Sequence, residues 1–192
     1  MSELPELSPT LDRLRGHVLE HAVKTGEFVL KSGATSNWFL DAKQTACRPD
    51  GIIAVTDALV EVFGDDLATI DAIGGLTLGA DPMAYGVAAV LGTRGHHLRS
   101  FSVRKEAKAG GITGRIAGAL QPGDRVMVTE DTTTRGVSLM EPADEIAAFG
   151  AQPIFMSVIV DRGGTCAAMA HARGIDYRPL LTAPDLGFAY GT

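Results

Sequence analysis

The sequence predicts an α/β fold: a central, mostly parallel sheet flanked by helices. Three observations carry this reading. Short apolar runs of strand length, among them TIDAI, LRSFSV, RVMVT, IFMSVIV and YRPLL, recur along the chain. They alternate with segments whose apolar residues return at helical spacing, a pattern that implies parallel strands covered on both faces. The 23 glycines fall between the apolar runs, where a layered protein needs tight turns. A chain of 192 residues, 45% hydrophobic and 21% charged, suits a single domain over 1–192 with a sizeable core. No repeat, low-complexity segment or linker interrupts it.

The elements follow in order. Ser8-Pro9 supplies a capping hydroxyl and a first-turn proline, and Leu11, Leu14, Val18 and Ala22 continue at helical spacing until Gly26. EFVLKSGATSNWFLDA reads as two short strands joined by a glycine-containing turn, and 50–63 as a helix closed by Gly64. TIDAI is a buried strand, GGLTLG a loop, and Asp81-Pro82 opens a helix to about residue 91. LRSFSV is a strand, and the polar, basic, glycine-rich RKEAKAGGITGR is expected to be a long loop. After the Pro122-Gly123 turn come strand RVMVT, a helix over 137–149, strand IFMSVIV, a helix reaching Arg173 and a last strand, YRPLL.

The formal net charge of −6 argues against non-specific binding to nucleic acid or to anionic membranes, so an anionic ligand requires a local basic cluster. Two cysteines, Cys47 and Cys166, lack metal-ligand spacing and fit reduced thiols. The opening MSELPELSPT has neither the basic nor the apolar region of a secretion signal, and no apolar run approaches membrane-span length. A cytoplasmic protein with no nucleic-acid or membrane partner is expected.

The stretch RVMVTEDTTTRGVSL is the most informative. In parallel sheets, ligands bind beyond the carboxyl ends of the strands. A loop running into a helix there offers free backbone N–H groups and the positive end of the helix dipole to an anion. Thr132, Thr133, Thr134 and Ser138 add hydroxyls, and Gly136 permits close approach of backbone. Glu130 and Asp131 repel a phosphate and suit a sugar diol or a magnesium-bound one. The stretch thus reads as a site for a phosphorylated sugar, or more plainly as a helix cap with two solvated acids. Arg104, Lys105 and Lys108 lie within five residues and suggest a polyanion, or else a solvated turn; Gly110, Gly111 and Gly114 would make the segment mobile, as a lid is.

VMVTEDTTTRGVS resembles the phosphoribosyl-pyrophosphate (PRPP) motif of type I phosphoribosyltransferases. RKEAK resembles the flexible catalytic loop of the orotate phosphoribosyltransferases within that family. TGEFVLKSGATSNWFLDA is similar to their N-terminal hairpin, VIVDRG to the segment whose arginine binds orotate, and GGLTLGADP to the pyrophosphate-side loop of one branch. The similarity spans roughly residue 26 to the C-terminus, with the motifs in the family's order. It implies a type I phosphoribosyltransferase-like fold with a small N-terminal hairpin or hood (about 1–45, plus the C-terminal segment) and a flexible catalytic loop. It implies transfer of ribose 5-phosphate from PRPP to orotate N1, giving orotidine 5′-monophosphate and pyrophosphate for UMP synthesis. Mg²⁺ would be the cofactor, bound mainly through PRPP, and a homodimer with shared sites is expected.

The resemblance also implies roles. Lys31, Arg104, Lys105, Lys108 and residues Glu130, Asp131, Thr132, Thr133, Thr134, Arg135, Gly136, Val137 and Ser138 would bind PRPP; Lys105, Asp131 and Lys108 would serve catalysis; Thr134 and Arg162 would meet orotate. The chain departs from the family where a histidine is usual at Gly110, Tyr-Lys at Thr77-Leu78, a small residue at Arg135 and Gly or Thr at Val137. A transferase for another nucleobase and a PRPP-sensing non-catalytic paralogue are the alternatives; a nucleic-acid-binding regulator sits poorly with the acidic charge.

Duller readings fit other residues. Trp38 and Phe39 read as hairpin packing, although family members have aromatics there near the base. Met127, Met140 and Met156 read as core filler, and His96-His97 as a polar turn. His17 and His21 have a metal-ligand spacing but no cysteine or third histidine nearby, so the sequence favours no metal there.

Overall fold

The computed structural model describes residues 4–29, 35–108 and 114–191. Helix α1 (Pro9–His21) starts where Ser8 accepts a hydrogen bond from the Leu11 N–H at 3.2 Å. It ends earlier than its apolar spacing predicts, because strand β1 (Val23–Val29) already begins at Val23 and pairs antiparallel with β2 (Thr35–Leu40) in a separate two-stranded sheet. A short helix the sequence gave no sign of, α2 (Lys43–Ala46), leads into α3 (Pro49–Phe63). A 3₁₀ turn over Gly64–Thr69 follows.

The main sheet uses β3 (Ala72–Leu76), β4 (Arg99–Lys108), β5 (Gly114–Gly118), β6 (Arg125–Thr133), β7 (Gln152–Asp161), β8 (Asp176–Tyr177) and β9 (Leu181–Thr182). Its order is β5-β4-β3-β6-β7-β8, with β9 also on β7; every pair is parallel except β4–β5. Helices α4 (Asp81–Thr93), α5 (Val137–Phe149) and α6 (Cys166–His171) complete the chain. The long loop expected at 104–115 is instead largely a β-hairpin arm, since Lys108 pairs with Gly114 and Val103 with Ile116. The final strand is two short strands on either side of Arg178-Pro179.

Alternation along the central strands builds two cores. Met127, Phe155 and Ile159 face the layer of α1, α3 and α4, while Val126, Val128, Met156 and Val158 face α5 and α6. Each such fully buried side chain contributes ~1.5–3 kcal/mol of transfer free energy. Met127, Met140 and Met156 are buried, as their composition predicted. Among the described residues no helix is long and apolar enough to cross a membrane. With its core on both faces, β6 is held rigidly, and its carboxyl end projects polar side chains from a fixed base.

Candidate active site

Strand β6 runs longer than expected, so Glu130 and Asp131 lie within it near its carboxyl end, each about 6% exposed. The Asp131 N–H donates to Glu130 Oε1 at 3.1 Å and the Thr132 N–H to Asp131 Oδ1 at 2.8 Å. Lys43, on α2, donates its ammonium to Asp131 Oδ2. Burial works against the Lys43 charge, but the hydrogen bond and charge of Asp131 outweigh it and raise the pKa. Among the described residues Glu130 forms no ion pair. Burial, and then the neighbouring Asp131 charge, push its pKa from 4.5 up to about 8.

Backbone closes over this pair. A Cβ at Gly79 would lie 1.7 Å from Glu130 Oε1 and 3.1 Å from Asp131 Oδ1, so a side chain there would have to displace the Glu130 carboxyl. Next to it, the Thr77 hydroxyl donates to Asp81 Oδ2 at 2.7 Å, Ser102 donates to Asp81 Oδ1 at 2.5 Å, and Tyr85 Oη lies 2.5 Å from Ser102 Oγ. Thr77 therefore holds the start of α4, while Leu78 is 74% exposed.

Beyond the acids the loop turns through left-handed Gly136 into α5. Thr133 is buried, and its hydroxyl oxygen accepts from the Gly136 N–H at 2.9 Å, so this threonine shapes the turn. Thr132 is half-buried, Thr134, Arg135 and Val137 are exposed, and Ser138 is half-buried. Val137 and Ser138 open α5, where backbone N–H groups have no intrahelical acceptor. Gly163 of the next strand-end loop meets this one: its Cβ would fall 1.6 Å from the Thr134 carbonyl oxygen.

That second loop follows β7. Buried Asp161 accepts from the Gly163 and Gly164 N–H groups, both at 2.9 Å, and from the Tyr177 hydroxyl at 2.9 Å. Burial, then Asp161, raises the Tyr177 pKa and keeps the phenol neutral. Arg162 donates its N–H to the Thr133 carbonyl at 2.8 Å, and its guanidinium lies 4.4 Å from the Trp38 ring centroid. Burial lowers the Arg162 pKa. Trp38 is fully buried and stacked flat on Phe188 at 4.0 Å, so the hairpin packing expected of it also supports Arg162. Phe39 is partly exposed, 5.7 Å from Phe28. Cys166 is buried against Gly136, and burial, then Asp161, pushes its thiol up to about 11, which leaves it protonated and unreactive.

The structure thus brings Glu130, Asp131, the 132–138 loop and Arg162 together at adjoining strand ends. Among the described residues no hydrogen bond or ion pair joins Arg104 or Lys105 to them. Those residues lie on the β4–β5 arm, which Arg115 pins to α5 through Glu141 and Glu145 (2.8 Å for the latter). Lys105 is exposed there. Lys31 and Gly110 lie outside the described residues, as does the side chain of Lys108. Lys43 is the contributor that the sequence reading missed: it is one lysine after the hairpin, 88 positions from its partner, with no periodic signal to mark it.

No family model matches the chain. It is 35% identical over 170 residues to the orotate phosphoribosyltransferase of Corynebacterium glutamicum, covering 88% of this chain and 90% of that one. The Mycobacterium tuberculosis orotate phosphoribosyltransferase crystallised with Fe(III) dicitrate has a TM-score of 0.83 and 30% identity, covering 94% of this chain and all of that one. The same enzyme in complex with PRPP has a TM-score of 0.79 and 27% identity over the same shares. Given strand ends arranged as above and relatives that match over most of its length, the chain belongs to the orotate phosphoribosyltransferase family.

Proposed function

We propose that this chain transfers ribose 5-phosphate from PRPP to N1 of orotate, releasing pyrophosphate and forming orotidine 5′-monophosphate for pyrimidine nucleotide synthesis in the cytoplasm. The observation that carries the reading is the contact between the two strand-end loops at Gly163 and Thr134, which supports reading them as a sugar-phosphate cradle beside a stacked arginine.

Each residue has a chemical part. Glu130 and Asp131 accept hydrogen bonds from the ribose hydroxyls. The N–H groups opening α5, with the hydroxyls of Thr132, Thr134 and Ser138, hold the 5-phosphate at the positive end of the helix. Arg135 and Val137 frame that cradle, and Thr133 and Gly136 set its turn. Arg162 offers a planar fork to the orotate carboxylate, and Thr134 a donor to the base. Holding the two reactants in line removes most of the orientational cost of the reaction.

Two adjacent buried carboxyls, of which only Asp131 is ion-paired among the described residues, form a corner that fits a divalent cation. Mg²⁺ carried in with PRPP and balanced by Glu130 and Asp131 would neutralise charge on the departing pyrophosphate. Lys43 brings a further cation to the corner where Thr77-Leu78 supplies none. Lys105, with Arg104, Lys108 and Lys31, stabilises the same leaving group. An exposed Lys105 that makes no ion pair with the site acids among the described residues suits a homodimer in which each arm serves the partner's site, with α1, the hairpin and the C-terminal segment as the hood.

Incubation of the protein with PRPP, Mg²⁺ and orotate, with adenine, guanine, hypoxanthine and uracil in parallel, tests the reading by chromatography of the nucleotide. Orotidine monophosphate alone is the expected product. Product from another base would keep the sugar site and overturn the role of Arg162. PRPP binding without any product would make the chain a sensor.

A further inference from the structure

We propose that His17, His21 and Asp50 form a site for one divalent transition-metal ion of the zinc class, at the junction of α1 and α3. The site is separate from the PRPP cradle and does not rest on the transferase reading. Helix α1 puts His17 and His21 one turn apart on one face, with ring centroids 4.5 Å apart. The fold then adds what the sequence lacked: Asp50, in the first turn of α3, comes to the same place. One ligand atom from each residue lies within 4.8 Å of the others, and this is the one such cluster of three among the described residues.

His17 is the second, independent observation. Its side chain is only 10% exposed, and its Nε2 is buried without a hydrogen bond, 3.5 Å from Asp50 Oδ2. Its other nitrogen, Nδ1, lies 3.2 Å from Thr45 Oγ1. With Nδ1–H donating to that hydroxyl, the Nε2 lone pair points at Asp50 and His21. This is the tautomer and the outer hydrogen bond that a metal-bound histidine uses. Gly51 lets the backbone of α3 pack close to the ring, since a Cβ there would come within 2.7 Å of His17 Cε1. Asp50 brings a carboxylate oxygen to the same point, 3.5 Å from His17 Nε2.

The geometry suits a small ion. Zinc–nitrogen and zinc–oxygen bonds of ~2.0–2.2 Å place tetrahedral ligand atoms roughly 3.3–3.6 Å apart. The His17–Asp50 separation is already 3.5 Å. His21 and Asp50 are the more exposed partners, at 25% and 74%, so small rotations of these two close the site around an ion. Two imidazoles and a carboxylate leave a fourth position for water. An ion there would clamp α1, which leads into the hairpin carrying Trp38, onto α3. A plain His17–Asp50 side-chain contact without metal is the ordinary alternative.

The test uses the full chain, stripped with chelator and titrated with Zn²⁺ in excess Mg²⁺, followed by calorimetry and by the thermal unfolding midpoint. Wild type is expected to bind one more equivalent of Zn²⁺ than His21→Ala or Asp50→Asn, at micromolar affinity, and its midpoint is expected to rise with Zn²⁺. Both variants change the two less buried partners and are expected to keep their circular dichroism. Co²⁺ in place of Zn²⁺ should give visible absorption bands in wild type and not in the variants. The proposal is overturned if wild type shows no binding up to about 100 µM Zn²⁺, or if the variants match its stoichiometry and affinity.

Discussion

The Arg162 guanidinium lies 4.4 Å over the Trp38 ring, and that ring is stacked on Phe188 at 4.0 Å. Three distant parts of the chain meet in this column: the hairpin, the β7 end and the C-terminal segment. Trp38→Phe retains an aromatic face but weakens the cation–π contact, which is worth ~1–2 kcal/mol when desolvated. The KM for orotate should rise about tenfold while that for PRPP stays within twofold, in steady-state kinetics varying each substrate. Arg162→Ala should move the same parameter further; an unchanged orotate KM in both variants would remove the column from base recognition.

Lys105 stands exposed and acts, in the proposed mechanism, only on the leaving group. A charge offered to a developing anion in a closed site contributes ~3 kcal/mol, roughly a hundredfold in rate. Lys105→Ala should lower kcat by about that factor and change PRPP affinity little. Equal losses in both would assign the arm to ground-state binding.

Glu130 gives a pH signature. Its pKa is raised from 4.5 to about 8 in the fold. Across that window the folded chain keeps a proton that the unfolded chain releases, so its contribution to stability falls as pH rises. Glu130→Gln cannot ionise, so the midpoint of the variant relative to wild type should climb between pH 5 and pH 8. Thermal melts of the two proteins side by side measure the difference, and parallel profiles would contradict the assignment.

Gly79→Ala should be far more harmful than an exposed loop substitution. Its methyl group would sit 1.7 Å from Glu130 Oε1, and overpacking of this kind costs ~1–3 kcal/mol. The expected result is a lowered midpoint and a kcat/KM for PRPP reduced at least tenfold; wild-type kinetics would show that the loop yields easily.

Lys43→Gln removes the cation on Asp131. With the lysine side chain 43% exposed, the loss should be about 1 kcal/mol, seen as a five- to tenfold drop in kcat/KM for PRPP. Lys43→Arg should restore most of it. A Gln variant as active as wild type would make the pair incidental.

Elements with strong local patterns were legible in the sequence. Val126–Val128 gave β6, and the polar run after it placed Glu130 and Asp131 at a strand end. The arm was not, because Arg104–Lys108 is charged on both faces, and a strand solvated on both sides shows no alternation. Long-range partners were also hidden: Lys43 meets Asp131, and Asp50 meets His17, across spacings that no periodicity encodes. Arg162 was named from its motif, yet nothing local tied it to Trp38.

Trp38 is the chain's single tryptophan. Its emission therefore reports on one place, the ring beneath Arg162, with no background from other indoles. Orotate drawn to that guanidinium would change the field at the ring and alter its fluorescence, so base occupancy becomes an optical signal of the unmodified protein. Such a readout needs no label and no turnover, and it separates filling of the base pocket from filling of the sugar cradle.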